Sequence, residues 1–452
     1  MKKTLSFFLC LCLCFTFFVG CANQSPTADN TVKTSDSESE GSTAVSEEEA
    51  VAAAPYTGEK SDVLVWLYAA DDMEHYADHS FYERIQDALP QYNVIVEIIT
   101  GTGEDMENKY EEAKAKGIVP DAMYIILSSF GKFGNKDEWL VLDPYMEGWE
   151  GMDDIMSASL SMGKLAGSYV GIGATPAPVV LAYRTDYFEE AGLDPLKPPT
   201  NWKELEEYAL LLTKKTSDGS LLQAGLDLPT TDNYGNFSFP FMRMNGAVIV
   251  NERASEPVFT DSKVIETLEY LKRLSDHHIS FSYNWQDAKN IPFLNGKSAM
   301  SFINLDLYVH LLKDNPELVG KTQVALPLGN EMITSFCGYR VMTIPKASKN
   351  PDGGWEVIKF IMSKEEMQYR VENMGVIPVR KSLMEIYEAL NPEIGRSVME
   401  TVSVGKGAFL VPWVSAMYQH YGPAYEAIIQ GEKTPAEAME EVQNGILSEI
   451  GN

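Results

Sequence analysis

Between residues 62 and 127, three short apolar runs alternate with two helix-prone stretches, and this alternation limits the fold more than any other feature. Asp62 to Tyr68 (DVLVWLY), Tyr92 to Thr100 (YNVIVEIIT) and Ala122 to Leu127 (AMYIIL) are rich in β-branched residues and read as strands. Residues 76–89 form a helical stretch that ends before Pro90, and residues 104–116 form another that ends at Gly117. Strands joined through helices pair in parallel and need helices over both faces, which predicts an α/β fold.

Further along, Val179 to Tyr183 reads as a strand passing from one body of the protein to another. Helices are predicted at about 201–215, with Thr200 as N-cap, and at 263–277 and 306–314; the last leads into a strand at 324–328. Residues 354–371 are helical, with Trp355, Ile358, Ile361 and Met362 on one face. Ser363 and Glu366 have capping-box spacing there, and Thr434-Pro435-Ala436-Glu437 starts a final helix. No repeat of solenoid period is present.

The N-terminus reads as a secretion signal rather than a fold element. Lys2 and Lys3 precede an uncharged run over residues 4–20, which closes on Val19, Gly20 and Cys21. An apolar run ending in small residues and a cysteine resembles a bacterial lipoprotein signal, which implies cleavage before Cys21 and acylation of its thiol. Residues 21–60 then form the lipid anchor and an acidic linker, with runs such as SDSESE that lack the apolar groups a core needs. Cys10, Cys12 and Cys14 fall in the signal, so Cys337 alone remains in the folded part, where an intrachain disulfide is impossible. It is expected to be a small buried group rather than a nucleophile. The whole chain has 65 acidic against 36 basic residues, a balance that argues against nucleic acid. The roughly 390 residues after the linker suggest two lobes.

Five segments carry a family resemblance. They are Ala182-Tyr183-Arg184-Thr185-Asp186-Tyr187-Phe188, Pro199-Thr200-Asn201-Trp202-Lys203-Glu204-Leu205, Phe293-x-x-Gly296-Lys297-x-Ala299-Met300, Ile344-Pro345 through Gly354-Trp355-Glu356, and Gly375-x-Ile377-Pro378-Val379-Arg380. In this order, behind a lipoprotein-like signal, they resemble the extracellular solute-binding proteins of ATP-binding-cassette importers, the cluster that includes maltose-binding protein. The resemblance implies a type II, two-lobed periplasmic-binding-protein fold. Its N-lobe would be 61–176 plus 328–376 and its C-lobe 177–327 plus 377–452, with crossings near 173–177, 325–328 and 376–379. It implies capture of a sugar or oligosaccharide, handed to the permease subunits of an importer, by a monomer held on the extracellular face of the cell membrane through Cys21. Trp202 and Trp355 are expected to pack under helices.

Candidate ligand groups follow from strand ends and from the resemblance. Ligands of open α/β lobes sit beyond the carboxyl ends of the strands, which points to Asp71 and Asp72 and to the Ser128–Lys132 loop with Ser129 and Phe130. Aromatic rings stack on the C–H face of a pyranose while polar groups bind its hydroxyls. By resemblance, Tyr234, Asn236 and Phe239 fall in a polar-aromatic loop, and Asn304 and Asp306 follow the Gly-Lys-x-Ala-Met strand. Trp413 and Tyr418 align with a segment ending in a stacking aromatic. Gly338 would let a ligand approach the backbone, with Tyr339 to stack on it.

No cofactor or metal is expected. His75 and His79 have i, i+4 spacing, but the His-Glu-x-x-His pattern is absent, as are the Gly-x-Ser-x-Gly elbow and the phosphate loop. The chain is therefore not expected to be an enzyme, although a glycosidase carboxylate pair is an alternative that sequence leaves open. A polyamine or a glycerophosphodiester is the other alternative, as a solute on the same scaffold.

Overall fold

The computed structural model describes residues 58–68, 79–132, 137–165, 167–251, 256–284 and 290–451, with the backbone alone at 79, 80 and 132. The leader, Cys21, the linker up to residue 57, Asp71, Asp72 and His75 lie outside the described residues.

The first three strands form as predicted: β1 (Ser61–Tyr68), β2 (Tyr92–Ile99) and β3 (Ala122–Ile126), with β1 parallel to both others. Helices α1 (His79–Ala88) and α2 (Gly103–Ala115) make the connections, and α3 (Leu127–Lys132) follows β3. At the head of α2, Thr102 Oγ1 accepts the Asp105 N–H, and the Asp105 carboxylate accepts the Thr102 N–H in return. Both orphan donors of that turn are thereby satisfied. The rest of the main sheet is antiparallel and uses β4 (Gly171–Arg184), β5 (Met300–Asn304), β6 (Thr322–Val324) and β7 (Cys337–Thr343). The order is β6-β4-β7-β3-β1-β2, with β5 also on β4.

Strand β4 is long because it serves two partner sets. Its residues 171–178 pair with β7, and residues 179–184 pair with β5 and β6. Near-complete burial along its length accounts for its apolar sequence, GIGATPAPVVLAY. Two hydrophobic clusters meet on it. Val180 and Ala182 belong to the cluster of β1, β3 and β7, which also takes in Val379, Leu383, Val398 and Val402. Val179, Leu181 and Tyr183 belong to a second cluster. That second core is built from α4 (Trp202–Leu212), α5 (Ser238–Met244), α6 (Ser262–Asp276), a later helix Val414–Gln430 and the last one, Pro435–Ile450.

Helix ends match expectation where the cap is local. Thr434 and Glu437 close a full capping box. Ser363 Oγ accepts the Glu366 N–H, but the Glu366 carboxylate is drawn away to Arg84, whose Nε (2.7 Å) and Nη2 (3.0 Å) grip it. The N-cap of α4 is Asn201 rather than Thr200: Asn201 Oδ1 accepts the Glu204 N–H, while Thr200 holds the Glu204 carboxylate. Strand β6 stops at Val324 rather than 328, because Pro327 has no N–H to continue the ladder. Trp202 and Trp355 are both buried, as expected. Cys337 is a buried free thiol, and burial pushes its pKa up to about 12, which leaves it protonated.

Candidate functional site

The carboxyl end of β3 carries no loop. The chain enters α3 (Leu127–Lys132) directly, so the segment predicted as a ligand loop is a helix. This corrects two site assignments. Phe130 is fully buried and stacks on Trp139 at 5.6 Å. Ser129 is also fully buried; its Oγ has no hydrogen-bond partner, and it lies where a side chain on Gly103 would come within 3.2 Å. Ser128 is the exposed residue of this turn.

The outer face of α3 meets the segment that follows α7 (Gly395–Val404). A Cβ on Gly131 would stand 3.1 Å from Leu410 Cδ2. The glycines of that segment allow it to lie against β7. A Cβ on Gly405 would be 2.5 Å from Cys337 Cβ, and one on Gly407 would be 2.3 Å from Leu127 Cδ2. The Cys337 N–H donates to Lys406 O, and the Lys406 N–H donates to Ser335 O. The segment therefore binds the backbone of β7 on one side and presents Phe409 on the other.

Above Phe409 stands Arg243 of α5. Its guanidinium carbon is 4.3 Å from the ring centroid, and Nη1 and Nη2 donate to Lys406 O (3.2 Å) and Gly407 O (2.9 Å). Tyr418, in helix α8 (Val414–Gln430), is close enough for the two groups to sense each other's charge. Burial pushes the Tyr418 hydroxyl up to about 12, opposed by the Arg243 charge. Tyr418 is half-buried and meets Tyr234 edge-on, with ring centroids 5.2 Å apart. Tyr234 itself is 50% exposed, so this ring pair keeps faces open to a solute.

Of the residues predicted from sequence, the structure thus brings Tyr234 and Tyr418 together. Phe239 is instead core: it packs on Tyr421 at 4.6 Å and on Phe409 at 5.6 Å. A Cβ on Gly235 would strike its ring at 2.2 Å, which with a φ of 66° accounts for that glycine. Asn236 is half-buried in the turn that caps α5. There the buried Asp232 carboxylate accepts Ser238 N–H (2.8 Å) and Oγ–H (2.6 Å). Asn304 caps the helix Leu305–Asp314 by accepting the Asp306 N–H at 2.9 Å, and Asp306 is exposed in its first turn, near Tyr387. Gly338 would accommodate a Cβ at ordinary contact distances, so close approach does not require it. Tyr339 is buried, with its ring over Gly173 and its hydroxyl beside the Cys337 thiol. Trp413, proposed by resemblance as a ligand group, is buried in the second core, and its Nε1–H has no partner there.

Arg243 and Phe409 escaped the sequence reading. A lone arginine in the apolar stretch SFPFMRM and a phenylalanine closing the Gly-Lys-Gly-Ala-Phe stretch were the available signals. Rings with open faces, a guanidinium and backbone carbonyls are equipped to hold a polar solute. Among the described histidines with carboxylate partners, His277 pairs with Glu206 at 3.2 Å and His420 with Glu449 at 2.7 Å, apart from this group of contacts.

Residues 82–392 match the model of a family described as bacterial extracellular solute-binding protein. Putative binding proteins of Brucella abortus (strain 2308) and Brucella suis biovar 1 (strain 1330) are each 26% identical to the chain over 247 residues. That match covers 53% of this chain and 57% of theirs, so it spans little more than half the length of these relatives. Among solved structures, the sugar-binding protein MalE of Xanthomonas citri superposes with a TM-score of 0.75 at 16% identity, covering 86% of this chain and 98% of that one. The cyclic α-maltosyl-1,6-maltose binding protein of Arthrobacter globiformis gives 0.73 at 17% identity, covering 87% and 99%. A solute-binding protein of Thermotoga lettingae bound with α-D-tagatose gives 0.68 at 19%, covering 87% and 100%. At these identities the likeness is one of fold, a two-lobed α/β architecture.

Proposed function

Because the chain belongs to the bacterial extracellular solute-binding protein family, we propose that it captures a saccharide between two lobes and delivers it to the permease subunits of an ATP-binding-cassette importer. The observation that carries the saccharide reading is the Tyr234–Tyr418 ring pair, open-faced beside a guanidinium and two backbone carbonyls. Sugar rings offer apolar C–H faces to such rings and hydroxyls to such polar groups. Solved neighbours described as sugar-binding support the same reading. The proposed lobes are 61–176 with 328–376 and 177–327 with 377–452, and β4 is the strand that runs from one to the other. In support, the buried residues of the second core lie at 179–328 and 411–446, while Val379, Leu383, Val398 and Val402, within the proposed 377–452, pack in the first.

Binding is tested by thermal shift against mono- and oligosaccharides. A solute that binds the folded state alone at a hundred times its Kd adds about 2.7 kcal/mol of stability, which raises the melting temperature. Silence across a broad saccharide panel would remove the sugar reading. The same incubations, read for released or altered sugar, test whether the bound compound leaves unchanged; turnover would replace binding with catalysis.

Cys21 is the proposed lipid site, on the strength of the apolar run before it and the acidic linker after it. A protein anchored this way faces the outside of the cell membrane. Cys21→Ala should abolish metabolic labelling of the protein with a fatty acid. Equal labelling of that variant and the wild type would assign the lipid elsewhere.

A further inference from the structure

Three other buried or partly buried arginines in this protein have carboxylate partners. Arg184 is paired with Asp186 (2.6 Å), Arg380 with Asp154 (3.0 Å), and the partly buried Arg84 with Glu366 (2.7 Å). Arg243 differs. Its neighbours are the Lys406 and Gly407 carbonyls and the Phe409 ring, and among the described residues no carboxylate pairs with it. The chain has 65 acidic residues against 36 basic ones, so a missing counter-ion does not reflect a shortage of carboxylates. Two carbonyl dipoles use two of the five N–H donors of a guanidinium and supply no negative charge. A desolvated charge left in this state is costly, and a bound anion relieves it. Burial lowers the Arg243 pKa to about 10, which still leaves it charged at neutral pH. The side chain is also only half-buried, so surrounding protein removes its water while part of its surface stays open. That combination describes a cation partly stripped of water with part of its surface open, near the Tyr418 ring that meets Tyr234.

We propose that Arg243 receives an anionic substituent of the solute, so that the solute is an acidic saccharide, with a carboxylate or phosphate ester on a sugar body held by the tyrosines. This rests on the saccharide-binding reading above and names the class within it. A guanidinium at this position opposes a cationic solute such as a polyamine.

The full-length purified protein is titrated calorimetrically with oligogalacturonates for the carboxylate arm and glucose 1-phosphate for the phosphate arm. Neutral galactobiose and glucose serve as counterparts. Acidic probes of one arm should bind about 10- to 100-fold more tightly than their neutral counterparts, the range expected when one partner of a charged hydrogen bond is removed. That preference should shrink as salt is raised. Arg243→Gln should abolish the preference, and Arg243→Lys should keep part of it, because the charge remains without the planar fork. Neutral sugars binding as tightly as acidic ones to the wild type would overturn the inference and leave the saccharide reading intact, with no variant needed. Loss of all saccharide binding in the wild type would overturn both. An unchanged acidic preference in a folded Arg243→Gln protein would likewise exclude Arg243 as its source.

Discussion

Replacing Trp202 by Ala should destabilise the second core by about 3–5 kcal/mol, the range for truncating a buried large aromatic, and leave solute affinity nearly unchanged in protein that remains folded. The indole stacks on Tyr270 with centroids 4.3 Å apart and planes 10° apart, and it meets Phe241 at 5.8 Å. Its Nε1–H points at Met244 Sδ, 3.4 Å away, and the Tyr270 hydroxyl donates to the Trp202 carbonyl at 2.9 Å. One residue thus links the head of α4 to α5 and α6, and a methyl group in its place leaves a cavity that three helices must collapse to fill. Trp202→Phe keeps the stacking and should lose less. Urea unfolding with and without a bound saccharide separates the effects: a normal unfolding midpoint with lost binding would place Trp202 at the ligand instead.

The early fold was legible because its signals are local. Strands β1 to β3 declare themselves by β-branched runs, and the Thr434–Glu437 cap by spacing alone. Caps that compete with tertiary partners were harder to read. Glu366 has the right offset from Ser363, but only the fold brings Arg84 to its carboxylate. The Asn201 cap sits one residue from the predicted one because Thr200 and Asn201 are both good capping residues. Which of them faces the helix depends on the backbone entering it, and Thr200 turns to Glu204 instead.

The site was less legible for a related reason. Ser129 and Phe130 were assigned to a loop on the premise that a strand end is followed by irregular chain. Here α3 begins at Leu127, and helical geometry turns both side chains inward. Trp413 and Phe239 carry the chemistry of a stacking platform but point into the second core, a matter of helix rotation that residue type does not encode. Tyr234 and Tyr418 could be proposed one at a time, yet their edge-on contact across 184 positions of chain is purely tertiary. Arg243 gave only the signal of a lone arginine in an apolar stretch, because its significance lies in the carboxylate that is not beside it.

A single buried acid should make the stability of this protein depend on pH in a way that one substitution removes. Asp227 is fully buried. Its Oδ2 accepts the Phe293 N–H at 3.0 Å and so ties the strand-like segment it sits in to the Phe293-x-x-Gly-Lys motif. Ser298, Ser301 and Tyr283 are its polar neighbours, but Oδ1, the Ser301 hydroxyl and the Tyr283 hydroxyl lack well-formed hydrogen bonds. No cation faces it among the groups that set its titration, so burial dominates and pushes its carboxyl from 3.8 up to about 7. The folded protein therefore holds this proton up to near neutrality, while the unfolded chain releases it near pH 4. The stabilising contribution is complete below about pH 4, declines as the pH rises toward 7 and is gone above that. A shift of this size corresponds to something on the order of 4 kcal/mol. Asp227→Asn has nearly the same shape, keeps an acceptor for Phe293 and carries no charge at any pH. It should match the wild type at pH 4, exceed it at pH 8 by a few kcal/mol, and flatten the stability profile between them. Other carboxylates and the histidines titrate in both proteins, so the difference between the two curves isolates this group. Parallel curves for variant and wild type from pH 4 to 8 would mean that Asp227 ionises at an ordinary pH, reached by water that its surroundings here do not admit.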